Sequence, residues 1–280
     1  MDINLDTGKL VIFIAGLLLF FGIESLAPQR SWHGTRIKRL LFHGGIAVFN
    51  TVTIRLLVYV PFLLWFVFVE EQGWGISRWL GLTGWVELVA TVIVLDLFDY
   101  FWHRANHRVT FLWRFHKAHH SDTDMDVTTA LRFHPGELML SFLAKALWVA
   151  VWGPTAISWF VFEGLVSLCA QFHHSNFDFS NNVENSLSRW LVTPRFHASH
   201  HAIDRQYGDA NFSTIFSIWD RLFQSYARPG DNGATTNGEN ALGLPDARDR
   251  AFSIRAWISE PWTPSNLVLM DPLAESDLQN

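Results

Sequence analysis

Residues 96–120 read DLFDYFWHRANHRVTFLWRFHKAHH. Five of the thirteen histidines fall in this stretch, as an HxxxH (His103, His107) and then an HxxHH (His116, His119, His120). A second HxxHH, His197-Ala198-Ser199-His200-His201, follows far downstream. His103 and His107 are four residues apart, so a helix carries both imidazoles on one face, one turn apart. The i, i+3, i+4 spacing predicts that one helical face also carries all three histidines of each HxxHH. A lone histidine in such a chain is a surface or core residue. Eight of them in three spaced clusters are a ligand set, because neutral imidazole is a common ligand for iron and zinc. The nitrogens suffice for two metal ions. Asp96 and Asp99 lie seven and four residues before His103, on roughly its face. A metal-bound histidine usually gives its other ring N–H to a carboxylate or carbonyl, so both are expected to orient ligands, with an ion pair to Arg104 or Arg108 as the plainer alternative. His174 and His134 are two further candidate ligands, at the ends of an apolar hairpin. His33 and His43 are expected to be structural or interfacial.

Working outward, the chain is oily. Of 280 residues, 49% are hydrophobic, 15% aromatic and 17% charged; a soluble domain carries ~25% charged residues. Fourteen Trp and twenty-four Phe suit the aromatic belts of a membrane protein. A net charge of −5 leaves no electrostatic footprint for nucleic acid. The single cysteine, Cys169, excludes an intrachain disulfide and a cysteine-based metal motif.

Hydropathy predicts about four transmembrane helices. The first apolar run lies between Lys9 and Glu24 and is expected to be a retained anchor, since it lacks a basic leader and a small-residue cleavage site. A second, from Leu40 to Val69, is interrupted by Arg55 and Pro61; Arg55 reads either as a functional charge or as one that snorkels or pairs. Trp79 to Phe101 runs into the first histidine cluster. Leu138 to Phe172 is broken at Gly153-Pro154 and predicts a helical hairpin. Arg30, Arg36, Lys38 and Arg39 form a basic loop that the positive-inside rule places in the cytoplasm, which brings all three histidine clusters to the cytoplasmic side. Residues 227–280, rich in Gly, Asn, Thr and Asp near their start, are expected to be a flexible tail.

Between about Glu87 and Tyr226 the sequence resembles the fatty acid hydroxylase/sterol desaturase superfamily of integral membrane di-iron enzymes. The resemblance lies in DYFWHRANH, RFHKAHHSD (114–122), TALRFHPGE (129–137), FHHSN (172–176), TPRFHASHH (193–201), Tyr207-Gly208 and WDRLF (219–223). It implies an all-α fold, with about four transmembrane helices in two hairpins and a cytoplasmic helical cap holding a histidine-rich dimetal site. The organisation is then 1–86 (membrane helices and basic loop), 87–226 (catalytic domain) and 227–280 (tail). The resemblance further implies two Fe ions, with Zn an alternative occupant of the isolated protein, and O2-dependent hydroxylation or desaturation of a membrane lipid. Electrons would come from an external ferredoxin, cytochrome or reductase, since the chain has no CxxC, dinucleotide loop or haem-binding motif of its own. Two other readings use the same histidines. A metal transporter would hold its ligands at the bilayer midplane, whereas these lie at one surface. A di-zinc hydrolase would need a nucleophile or general base beside the clusters, and none is conspicuous.

Overall fold

The computed structural model describes residues 5–32, 35–203, 208–228, 242–245 and 248–263. Among these the regular structure is helical, apart from two isolated bridges, Leu191–Phe216 and Ala202–Leu242. The elements are α1 (Leu5–Leu26), α2 (Arg36–Ile54), α3 (Val60–Glu71), α4 (Ile76–Trp79), α5 (Gly84–Arg108), α6 (Thr110–His120), α7 (Pro135–Trp152), α8 (Ala156–His174), α9 (Asn181–Leu187), α10 (Pro194–His200), α11 (Ile218–Leu222) and α12 (Ile254–Ser259). His33 and Tyr207 lie outside the described residues.

Four segments are long and apolar enough to cross a membrane: Thr7–Leu26, Arg36–Trp79, Pro135–Trp152 and Ala156–His174. Their outward faces expose Leu18, Leu19, Val48, Leu56, Leu64, Leu143, Leu147 and Ile157, an apolar surface that water would not tolerate at this extent. Within the second segment α2 passes into α3 through a π-helical stretch, Arg55–Tyr59. Pro61 stands in the first turn of α3; it has no N–H to give the preceding turn, and widening the helix there accommodates the loss. Arg55 opens this stretch with its guanidinium over the Tyr59 ring.

The expected break at Gly153-Pro154 is present. Gly153 ends α7 in the left-handed conformation (φ 71°), and Thr155 caps α8 by accepting the Ser158 N–H. Gly75 (φ 116°) meets Gly153 backbone to backbone, so a Cβ on either would run into the other's loop. That contact and the Ser77 hydroxyl on the Gly153 carbonyl (2.6 Å) tie α4 to the hairpin tip. At this level Phe66, Val69, Val92, Leu95, Val149, Trp159 and Phe162 pack α3, α5, α7 and α8 into the main core.

At the opposite end the polar parts are locked to one another. Arg39, 1% exposed, puts its guanidinium on Asp122 (2.8 Å) and Asp126 (2.7 Å). Arg36 pairs with Glu24, and Arg30 donates to the Met125 carbonyl. Three of the four basic residues of the 30–39 loop are thus bound inside the fold, where they join α1 and α2 to the segment that follows α6. Two stretches beyond Tyr226, 242–245 and 248–263, pack on the histidine end. Trp257 is buried between Ile46 and Ala118, Lys117 donates to the Thr263 carbonyl (2.7 Å), and the Gly243 N–H donates to the His201 carbonyl (3.0 Å). The apolar residues that do this, Leu242, Leu244, Ala251 and Trp257, are too few and too spaced to stand out as a periodic run.

Candidate metal centre

Each histidine motif sits on a helix with a defined start. Val109, extended at φ −95° and ψ 112°, separates α5 from α6 and lets α6 fold back along the end of α5. Thr193 caps α10 through its hydroxyl, and Pro194 occupies the first turn, where its missing N–H has no cost. The helices bring nine imidazoles into two groups: His103, His107, His116, His120 and His200 in one, and His119, His174, His197 and His201 in the other. Within each group the ligand nitrogens all lie within 4.8 Å of one another.

The two HxxHH motifs are used reciprocally. In the first, His116 and His120 face the five-histidine group and His119 faces the other. In the second, His200 faces the five-histidine group and His197 and His201 face the other. A single face for all three was the expectation. On a helix, however, i and i+4 are ~40° apart while i+3 and i+4 are ~100° apart. With a metal-sized gap on each side, the i+3 residue turns away. Each motif therefore spans both groups.

Hydrogen bonds fix the tautomers. Nδ1 of His103 lies 2.8 Å from the Phe212 carbonyl, of His119 3.3 Å from the Arg132 carbonyl, of His174 2.7 Å from the Ala170 carbonyl and of His200 2.7 Å from the Ala210 carbonyl. A carbonyl only accepts, so each Nδ1 carries the proton and each Nε2 presents a lone pair. His116 Nδ1 is 2.7 Å from Glu137 Oε1, with the same result. In the five-histidine group, Nε2 of His107, His116, His120 and His200 is buried with no hydrogen-bond partner. In the other, Nε2 atoms are 3.1 Å apart between His119 and His174, 3.0 Å between His174 and His197, and 3.2 Å between His197 and His201. His119 and His174 both hold their proton on Nδ1, so their Nε2 lone pairs face each other and repel, and a cation between them removes the repulsion. About 3 Å is also the spacing of neighbouring ligands whose metal–nitrogen bonds are ~2.0–2.1 Å. Burial above all, then the neighbouring imidazoles, holds His119, His120, His197 and His201 well below the ordinary histidine range. His200 is lowered to about 3, burial outweighing its carbonyl hydrogen bond. Neutral imidazole is the form that binds metal. The residues present fit two metal ions.

Three expectations differ from what the fold does. His134 joins neither group. It precedes Pro135 in an extended conformation and caps α7, its Nδ1 accepting the Gly136 N–H (3.0 Å) and its Nε2 meeting the Ile258 carbonyl (3.2 Å). Asp96 touches no histidine. Its carboxylate accepts the Ile215 and Phe216 N–H groups (both 3.0 Å) and the Trp219 indole (2.8 Å), and so acts through the loop whose Phe212 carbonyl orients His103. Asp99 also makes no hydrogen bond to a ligand ring; it lines a cavity beside them. His43 is structural, bonded to Thr128 Oγ1 and Arg132.

Sequence reasoning missed Glu137, which lies only three residues after His134 and so reaches His116 from the first turn of α7. It also missed Asp220, whose carboxylate holds the Phe212 and Ser213 N–H groups (both 2.8 Å). The signal for Asp220 was present in WDRLF: Trp219 and Asp220 clamp the 212–216 loop from two sides.

A cavity of about 200 Å³ adjoins the groups. It is lined by His103, His116, His119 and His174, by Trp102, Phe133, Leu138 and Val166, and by Asp99, Ser141 and Lys145. Most of its walls are α5, α7 and α8, the last two being membrane-crossing segments.

The family model described as fatty acid hydroxylase matches residues 88–225. The chain belongs to the fatty acid hydroxylase/sterol desaturase superfamily. Among curated relatives it is 34% identical to an alkylglycerol monooxygenase of Xenopus tropicalis over 161 residues, 56% of this chain and 32% of the relative. It is 29% identical to the ornithine lipid hydroxylase OlsE of Rhizobium tropici over 179 residues, 60% of this chain and 50% of the relative. It is 26% identical to a lathosterol oxidase of Mus musculus over 150 residues, 52% of this chain and 48% of the relative. The matches thus span about a third to a half of these relatives' length. No solved structure matches.

Proposed function

We propose that this chain is a membrane-bound di-iron oxygenase that hydroxylates, or desaturates, a C–H bond of a membrane lipid, using O2 and electrons from an external carrier. The observation that carries the reading is the pair of all-imidazole groups, with a ring nitrogen of each histidine turned inward, beside an apolar cavity walled by membrane-crossing helices. His103, His107, His116, His120 and His200 would hold one iron, and His119, His174, His197 and His201 the other. When bound, the two ions supply the activation of O2 needed to take hydrogen from an unactivated C–H. The chain's own residues do the rest. Carbonyls and Glu137 fix the ring orientations, Phe133 stacks on His119 (centroids 4.6 Å apart, interplanar angle 4°), and Trp102, Leu138 and Val166 keep the cavity dry and seat the lipid. The relatives are named as a monooxygenase, a lipid hydroxylase and an oxidase, and the reading brings that class of reaction to this chain.

We place the histidine end at the cytoplasmic face. Arg108 and Arg114 are exposed there, with Arg104 partly so, whereas Glu70 and Glu71 mark the other end; this is the distribution of the positive-inside rule. A ferredoxin, cytochrome or reductase would then deliver electrons from that side. The test is metal analysis of the purified protein together with a lipid product assay that depends on both O2 and reductant. Turnover without O2 would point to a hydrolase, metal flux across vesicles to a transporter, and either result overturns the oxygenase reading.

A further inference from the structure

Asp99 is 9% exposed and lines the cavity, yet it makes no hydrogen bond or close ion pair with any described residue. Its polar neighbours on α7 are already engaged. Lys145 Nζ sits on Glu163 Oε1 at 2.7 Å, and Ser141 Oγ accepts the Trp102 indole N–H at 2.9 Å. A carboxylate so enclosed, with open acceptor sites, is costly unless something donates to it. It stands one helical turn before His103 on α5, so its oxygens and the His103 ring face the same space from neighbouring levels.

We propose that Asp99 is the anchor for a hydrogen-bond-donating group, a hydroxyl or a protonated amine, on the lipid that enters this cavity. The inference rests on the cavity being the substrate site. Ionised or not, the carboxyl group accepts from O–H or N–H. Lys145 Nζ is bonded to Glu163, so an ionised Asp99 is open to an incoming ammonium as well as to a hydroxyl. One helical turn is ~5.4 Å, so a donor held at Asp99 brings the nearest carbons of the chain, not its far end, up to the imidazole groups. Oxidation should therefore fall close to the polar end of the lipid.

The test needs no turnover. Binding of hexadecanol, hexadecylamine and hexadecyl methyl ether is measured on the full-length, metal-containing protein at fixed detergent, without O2 or reductant. Comparing ratios between variants cancels the partitioning of each probe into micelles. The wild type should prefer the alcohol and the amine to the capped ether, and Asp99→Leu should lose about tenfold or more of that preference. Asp99→Asn keeps the volume and an acceptor, so it should keep the alcohol preference and lose that for the amine. Equal ratios in wild type and Asp99→Leu, or no binding of any probe by the wild type, overturn the proposal. If Asp99→Leu fails to retain metal, the amine-to-alcohol ratio in Asp99→Asn decides, and an unchanged ratio overturns it. Failure of the oxygenase reading looks different: the binding preference persists, but the wild type forms no O2-dependent product.

Discussion

Glu137 Oε1 lies 2.7 Å from His116 Nδ1, with both side chains buried. The carboxylate fixes the proton on Nδ1 and turns Nε2 toward His103, His107, His120 and His200. Outer groups of this kind typically alter metal affinity or activity by ~10–100-fold. Glu137→Ala should lower iron content or turnover by that order, and Glu137→Gln, whose amide oxygen still accepts from Nδ1, should lose less. Equal loss in both variants would show that the acceptor is not what matters.

His119→Ala and His200→Ala each remove a nitrogen from a different group. Each should abolish lipid oxidation and reduce bound metal toward one ion per chain, while the protein still inserts and purifies from membranes. His134→Ala should retain both ions, because His134 serves the start of α7. Metal stoichiometry by elemental analysis checks all three, and loss of metal in His134→Ala at normal expression would contradict the division drawn above.

Arg39 and Asp122 are each 1% exposed and bonded at 2.8 Å. Removing one partner of a buried pair leaves an uncompensated charge, at a cost of ~3–5 kcal/mol. Arg39→Met should lower the thermal midpoint in detergent by several degrees or prevent folding. The double variant Arg39→Met, Asp122→Asn should recover part of the loss. A double variant no better than the sum of the singles would exclude the coupling.

Gly153 adopts φ 71° and abuts Trp74 and Gly75. Gly153→Ala meets both the left-handed backbone and that contact, so its destabilisation should exceed the ~1 kcal/mol of an ordinary glycine exchange. Gly22→Ala, in α1 with open space around it, is the control and should leave the midpoint unchanged or raise it. Matching midpoints for the two variants would dismiss the close approach.

The metal-free protein should weaken as pH falls. His200 has its folded pKa lowered to about 3 by burial, and in the unfolded chain an imidazole titrates near ~6.5. Between those values the unfolded state binds a proton that the native state does not. Stability is therefore fully present above about pH 6.5 and is lost as pH falls toward 3. Burial lowers His119, His120, His197 and His201 in the same direction. Thermal midpoints of the metal-free form at pH 7.5 and pH 5.5 check this, and a flat profile would sink it.

What the sequence by itself determined is the local part. An HxxxH and two HxxHH motifs set imidazoles on helices whatever the tertiary context, because helical spacing is a property of a few consecutive residues. The apolar runs, the Gly153-Pro154 break and the oily composition were legible for the same reason, and hydropathy needs no partner to be read. What only the tertiary structure decided is which nitrogen faces which. The reciprocal split of the two HxxHH motifs depends on how α6 and α10 pack against α5 and α8. The partner of His134 Nε2 is the Ile258 carbonyl, 124 residues away, and the Asp96 contacts lie on a loop about 120 residues away. Glu137 orients His116 only because α7 returns beside α6, and Asp99 stands in a cavity only because α7 and α8 close around it. Hydrogen bonds and charge pairs act over about 3–4 Å, so they are set by packing across the chain and leave little trace in the spacing of residues along it.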